Sequence, residues 1–449
     1  MSETIKINKG LDIKLFGEPQ KIVTSINSEK YALKPTDFNA VFPKLLVKEG
    51  DEVKAGTKVF FDKYRENIFF TSPVSGKITE IVRGPKRVLQ EIRIDADPEI
   101  SYIDFGAANP NELKREEIIG KLLESGVWPM IRQRPYSVIA DPADNPKAIF
   151  ISAFDTAPLA PDYDLIVHRN GDIFQTGLDA LIKLTSGKVH LNISKSKSVS
   201  RVFSNSKGVQ INYFDGPHPT GNISIQVNNI DPINKGDIIW YINPQDILTI
   251  GKLFFEGKYD AEKTIALTGS EVEKPKYFKT LAGTSISEMV KNNVKEGNLR
   301  YISGNVLTGT KIKSDGYVGF YDSQITVIPE GDYYEFLGWG LPGLNKFSFY
   351  RSFISWMTPN KKFRLDTNIH GGKRAFVMTG QFEKVFPMDI YPMQLIKAIM
   401  TEDIDQMENL GIFEIDEEDF ALCEYISTSK IEIQSIVRQG LDLMRKEMS

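Results

Sequence analysis

Through the first hundred residues apolar side chains recur at alternate positions in short runs broken by Gly and Asp. Leu45–Gly56 (LLVKEGDEVKAG), Thr57–Asp62, Ile68–Thr71 and SPVSGKITEIVRG ending at Gly84 set Val47, Val53, Val59 and Ile78 at strand spacing, with Gly50-Asp51 and Ser75-Gly76 as turns. The period changes after residue 101. Asn109-Pro110-Asn111-Glu112 predicts a helix start, with Asn as the N-cap, Pro at the first helical position and Glu at the third. Ile118, Ile119, Leu122 and Leu123 form its buried stripe, and Gly126 stops it. Ala148–Phe154 reads as a buried strand. A helix from about Asp172 to Ser186 follows, with Leu178, Leu181, Ile182 and Thr185 inward and Gly187 as cap, and then strands Val189–Ile193 and Val209–Phe214. Strand–helix–strand alternation of this kind predicts a small parallel α/β sheet.

Residues 259–330 return to strand and turn, with Thr284 or Ser285 capping a short helix that carries Ile286, Met289 and Val290. From Leu365 to Met400 the pattern predicts a short strand followed by a helix. A final helix, about 430–446, buries Ile433, Ile436, Val437, Leu441 and Met444. The chain therefore divides into four expected domains, 1–101, 102–258, 259–330 and 331–449, of mixed α+β and α/β class, the last mostly helical.

Composition narrows the chemistry. Lys+Arg number 55 against 59 Asp+Glu, a net charge of −4, which argues against a broad nucleic-acid face. Cys423 is the single cysteine, so no internal disulfide and no all-cysteine iron–sulfur or zinc site can be built. With only four histidines besides, a transition-metal site is not expected, and no metal ligands are assigned. MSETIKINKG has no apolar run after its lysines and does not read as a signal peptide. The most apolar window, Ile238–Phe255, is broken by Asn243, Pro244, Gln245, Asp246 and Lys252, so no membrane span is expected. A cytoplasmic location, at most peripheral to a membrane, follows as an expectation. Thr401 to Phe420 holds nine acids and no base, which reads as a solvated face without calcium-loop spacing. One G-x-G-x-x-G, at 338–343, contains Pro and leads into no helix, so it reads as a turn.

Several segments resemble known modules. The V-x-x-GD-x-V-x-x-G pattern of the first domain resembles a barrel-sandwich hybrid of the biotinyl/lipoyl type. Its carrier hairpin here reads DKYRENIFF, and Lys63 lacks the flanking Ala and Met, so Lys63 is expected to be an unmodified, exposed lysine. Leu267–Pro275 and Gly283–Ile286 resemble the soluble-ligand-binding β-grasp domain (SLBB-like), here expected to serve in packing. LTGT at 307–310 resembles a flavinylation site but lacks its alanine and is expected to be a turn.

Four longer segments, GVWPMIRQRPYS (126–137), SAFDTAPLAPDYD (152–164), GPHPTGNISIQ (216–226) and NPQDILTIGKLFFEG (243–257), join IKINKGLDI (5–13) and GPKRVLQ (84–90). Together they resemble the NqrA family of the Na+-translocating NADH:quinone oxidoreductase, related to the RnfC component of the Rnf complex and to the flavoprotein component of respiratory complex I. The resemblance implies a Rossmann-like second domain. It also implies a peripheral, cytoplasmic-side subunit of a sodium-pumping complex that contributes to quinone (ubiquinone) reduction and to assembly and is not catalytic alone. Partner subunits would handle NADH, flavins and iron–sulfur centres. Two alternatives stand beside it: a purely structural scaffold subunit, and an envelope-export adaptor built from the same modules.

The departures from the relatives carry expectations of their own. Their glycine-rich flavin and NADH loop corresponds here to Val127–Ser137, where bulky side chains replace glycines, so neither cofactor is expected in this protein. Cys423-Glu424-Tyr425-Ile426-Ser427 resembles a cluster-binding run, but the other ligand positions are Glu417, Phe420 and Ser427; no cluster is expected, and Cys423 reads as a packed thiol. No catalytic residue is assigned. A quinone head needs opposed donors and aromatic walls. In the crevice beyond the α/β strand ends these would be Arg132, Arg134 and His218 as donors, Trp128 and Tyr136 as walls, and Gly216 and Gly221 for close backbone approach.

Overall fold

The computed structural model describes residues 4–195, 199–338, 341 and 343–448. At its centre a seven-stranded sheet runs in the order Thr4–Lys6, Gln210–Asp215, Lys188–Ser194, Ala148–Ser152, Ile239–Tyr241, Arg132–Arg134, Val138–Ile139. The first five strands are parallel, Arg132–Arg134 runs antiparallel to them, and Val138–Ile139 pairs antiparallel with it. Ala148, Ile149, Phe150 and Ile151 are all buried, as a central parallel strand covered on both faces requires. From that strand the chain steps outward to Lys188–Ser194 and Gln210–Asp215, then returns to add Ile239–Tyr241 on the opposite side. The order of strands thus reverses beside Ala148–Ser152, and a crevice opens past the carboxyl ends of the two strands flanking the reversal.

Two helices cover one face. Gly171–Ile182 and Pro244–Glu256 cross where each has a glycine: a Cβ on Gly177 would lie 2.3 Å from the Ile247 carbonyl oxygen, and one on Gly251 2.0 Å from that of Ile173. Pro244–Glu256 begins with Asn243 accepting from the Gln245 N–H at 3.0 Å and Pro244 at the first position, and it ends on Gly257 at φ 74°. The helix expected from Pro110 is a single 3-10 turn, Pro110–Glu112, because Leu113 and Lys114 are extended; the α-helix proper is Arg115–Glu124 and buries Ile118, Ile119 and Leu122. Thr185 lies past the end of Gly171–Ile182, its hydroxyl donating to the Pro146 carbonyl at 2.7 Å.

The barrel-sandwich module packs a four-stranded sheet against a three-stranded one within Lys30–Ala96, and Phe60 stacks on Phe70 at 4.3 Å in its core. Lys63 and Tyr64 form the exposed tip of one hairpin. The β-grasp sheet has six strands, in the order Thr310–Ile312, Leu299–Ser303, Gln324–Pro329, Glu262–Thr268, Lys276–Leu281, Gln20–Ser25. Its short helix is Ser287–Val290, with the Ser287 N–H donating to Ser285 Oγ at 3.3 Å. Residues 4–25 thus lie outside the barrel: one strand joins the α/β sheet, another the β-grasp sheet, and Ile7, Ile13 and Leu15 join the core of the C-terminal domain.

That domain consists of short helices capped by Ile433–Met448, which buries Ile433, Val437, Leu441 and Met444. The strand expected between Leu365 and Met400 is absent among the described residues: Gly371-Gly372 and the positive φ of His370 break any extended run, and the chain stays irregular up to Phe382–Lys384 and the helix Pro392–Met400. Cys423 is fully buried on Ala421–Ile426, where burial pushes its thiol pKa well up. Of the 338–343 glycine motif, Trp339, Gly340 and Pro342 lie outside the described residues. Among the described residues no helix is long and apolar enough to cross a membrane, and no group of three metal-ligating side chains comes together.

Candidate functional site

A cavity of about 180 Å³ occupies the crevice at the strand-order reversal. It exceeds the roughly 150 Å³ in which an engineered apolar cavity holds benzene, so a single ring fits. The α/β domain supplies Arg132, Tyr163, His218, Gly221 and Tyr241, the β-grasp domain adds Thr308, Tyr321 and Gln324, and the C-terminal domain contributes Glu418. Three domains therefore share one wall. A second cavity, about 150 Å³ beside Leu248 and Lys252, has its main polar groups already engaged: Lys252 pairs with Asp260 and Glu262, and the Gln245 amide bonds Ser323 and Thr264.

His218 is held from three sides. Its backbone N–H donates to Asp12 Oδ1 at 3.0 Å, and its carbonyl accepts from the Leu11 N–H at 2.9 Å, so the opening segment straps the GPHPTG loop in place. Thr156 Oγ1 accepts from the Gly221 N–H at 3.0 Å and lies 3.1 Å from His218 Nδ1. When that hydroxyl donates to Nδ1, the ring proton sits on Nε2. Nε2 is buried and has no partner among the described residues. Burial pushes the imidazole down to about 4, so it is neutral at pH 7, and its residue belongs to the cavity lining.

Arg132 and Arg134 sit on the short antiparallel strand, both within reach of the Tyr241 ring, at 4.5 and 4.8 Å. Tyr321 covers the other face of Arg132 at 4.2 Å, and Arg132 Nε has no hydrogen-bond partner among the described residues. Such stacking holds a guanidinium without using its N–H groups. Arg134 is fully buried and forms ion pairs with Asp416 and with Glu418, the latter at 2.9 Å. The acidic run is thus only partly a solvated face. Asp416 and Asp419 are buried, and Glu417 pairs with Arg438 of the last helix at 3.0 Å. Against burial, which raises it, Arg134 holds the Asp416 carboxyl well below the usual range. Burial pushes Glu417 up to about 8 and Glu418 up to about 7, with Asp416 adding to both.

The structure thus brings Arg132, His218 and Gly221 to the cavity and leaves four expected residues outside its lining. Arg134 is spent on carboxylates. Trp128 is a core side chain, its indole N–H donating to the Ala140 carbonyl at 2.8 Å and its ring edge-on to Trp240 at 5.4 Å. Tyr136, at φ 80°, turns away to pack 6.3 Å from Phe413, and Gly216 lies against the Ile7 backbone. The aromatic walls are instead Tyr163, Tyr241 and Tyr321. Tyr163 belongs to the quoted APDYD segment and was within reach of the sequence; Glu418 was hidden in a run whose simplest reading was solvation.

Together, fold and cavity define a multidomain α+β protein in which the switch-point crevice of an α/β sheet is closed by a β-grasp module and a helical C-terminal domain. Three family models match it: the NqrA N-terminal barrel-sandwich hybrid domain over 5–97, the NqrA second alpha/beta domain over 113–259 and the NqrA C-terminal domain over 264–314. NqrA proteins of the Na(+)-translocating NADH-quinone reductase are similar along the full length. That of Yersinia pestis bv. Antiqua is 38% identical over 447 residues, covering 99% of this chain and 100% of the relative. Those of Photorhabdus laumondii and Vibrio atlanticus are 37% identical over the same shares. The chain belongs to the NqrA family of the Na(+)-translocating NADH-quinone reductase, whose members are subunits of an oxidoreductase complex. Among solved structures, an air-oxidized NAD+-reducing [NiFe]-hydrogenase superposes with a TM-score of 0.41 at 9% identity, over 76% of this chain and 62% of that one, too loosely to carry functional meaning.

Proposed function

We propose that this chain is a peripheral, cytoplasmic-side subunit of a sodium-translocating NADH–quinone reductase, and that it binds the quinone headgroup in the three-domain cavity. One observation carries the reading: His218 and Arg132, each with a buried side-chain nitrogen that has no partner among the described residues, line one ring-sized cavity with tyrosine walls. A quinone is a flat ring with two carbonyl acceptors, and the cavity offers N–H groups to such acceptors. Electrons would come from NADH through partner subunits, and this chain would hold the headgroup without reducing it alone. Assembly with those partners is in keeping with the large apolar side chains exposed between Tyr333 and Met378, Phe336 and Trp356 among them.

Titration of the purified chain with tetramethyl-1,4-benzoquinone tests the binding half. Loss of one hydrogen bond is worth about 1 kcal/mol, so His218→Ala should weaken binding roughly fivefold while the protein stays folded. Binding unchanged in both His218→Ala and Arg132→Ala would move the site elsewhere and leave the scaffold reading in its place.

The protein itself is proposed to carry no flavin and no cluster. Supporting this, the buried side chains of Trp128 and Arg134 fill the stretch Val127–Ser137, and Cys423 is locked in a core. The native chain should therefore be colourless, without iron or labile sulfide. A stoichiometric flavin band would overturn that.

A further inference from the structure

Glu418 is the one carboxyl among the side chains that pack the two arginines and also line the cavity, and the quinone reading leaves it unused. Its side chain is 37% exposed, and Oε1 accepts from Arg134 Nη2 at 2.9 Å. Oε2 has no hydrogen-bond partner among the described residues. His218 lines the same cavity, and its Nε2 is buried without a partner among the described residues.

Resting on the quinone reading, we infer that Glu418 senses the oxidation state of the bound headgroup: protonated, it donates to a quinone carbonyl; ionised, it accepts from a quinol hydroxyl. A quinone offers only acceptors, so only the protonated carboxyl can hydrogen-bond it, whereas a quinol adds two O–H donors, for which the ionised carboxylate is the stronger acceptor. Binding the oxidised form then takes up a proton, and binding the reduced form releases one.

The surroundings permit both states near neutral pH. Burial raises the Glu418 pKa, and Asp416 and Asp419 on its own stretch raise it further. Arg134 and Arg132 on the facing strand pull it down. Tyr241 packs against both arginines, and from the last helix Arg438 is occupied by Glu417. His218 is neutral and adds no charge.

The test uses the full chain, with tetramethyl-1,4-benzoquinone and, under anaerobic conditions, its quinol, titrated from pH 5.5 to 9. The quinone Kd should rise about tenfold per pH unit above the Glu418 transition until the remaining contacts set a plateau, while the quinol Kd should fall with rising pH below that transition and level off above it. In Glu418→Gln the amide is donor and acceptor at every pH, so both profiles should flatten, and Glu417→Gln should leave them sloped. A flat profile in the unsubstituted chain, or a slope that survives Glu418→Gln, overturns this inference while leaving the quinone site standing. Absence of binding by either form at any pH overturns both.

Discussion

Arg132 and Arg134 occupy the same face of one strand, yet they answer to different partners, and the difference sets what each can do. Arg134 is fully buried against Asp416 and Glu418, so removing its charge strands carboxylates in a low-dielectric site. Arg134→Met should therefore cost about 3–5 kcal/mol, read as a lowered midpoint in urea unfolding, whatever it does to ligand binding. Arg132 has no such carboxylate pair, and Arg132→Ala should leave the midpoint near that of the parent. If Arg134→Met unfolds like the parent, the ion-pair account is wrong. Period-two spacing told from sequence that both arginines share a face; it could not tell which would meet acids some 280 positions further on, because that pairing is made by the fold. The same limit hid Glu418. His218 and Gly221 were legible because a loop of Gly and Pro directly after a predicted strand has few places to go.

At the level of elements, legibility followed burial. The strands Ala148–Ser152, Lys188–Ser194 and Gln210–Asp215 and the helix Gly171–Ile182 carry strong apolar patterns, and the structure has them within a few residues of expectation. Patterns failed where tertiary contacts decide the backbone. Val127–Ser137 was expected to form a loop at the crevice, but it folds as a 3-10 turn and then a strand, because Gln133 and Arg132 pair with Trp240 and Tyr241 on one side and with Val138 and Ile139 on the other. That pairing draws Trp128 into the core and sets Arg132 beside the cavity. The opening strand Thr4–Lys6 is three residues long, too short to be seen by alternation, yet it sets the strap that holds the His218 backbone. A side chain at Gly10 would meet the His218 carbonyl at 2.1 Å, which explains why this strap carries glycine where it crosses the loop.

For the whole molecule, the cavity belongs to no single domain, and this determines how a ligand should register. Ligand bound only by the folded assembly stabilises it by RT ln(1 + [L]/Kd), about 2.7 kcal/mol at a hundredfold excess over Kd. That gain falls on the contacts that close the cavity: the strand at Arg132, the loop at His218–Gly221, the turn at Asn305–Thr308 and the stretch at Asp416–Asp419. The barrel-sandwich module contributes no side chain to the lining. Amide hydrogen exchange with and without tetramethyl-1,4-benzoquinone should therefore show added protection at those four places together, with the local openings of the barrel hairpin Lys58–Thr71 unchanged. Protection at all four means the ligand bridges three domains, as a shared wall requires. Protection confined to one domain, or centred on the barrel, would mean that the ring sits elsewhere and that the three-domain cavity is a packing seam.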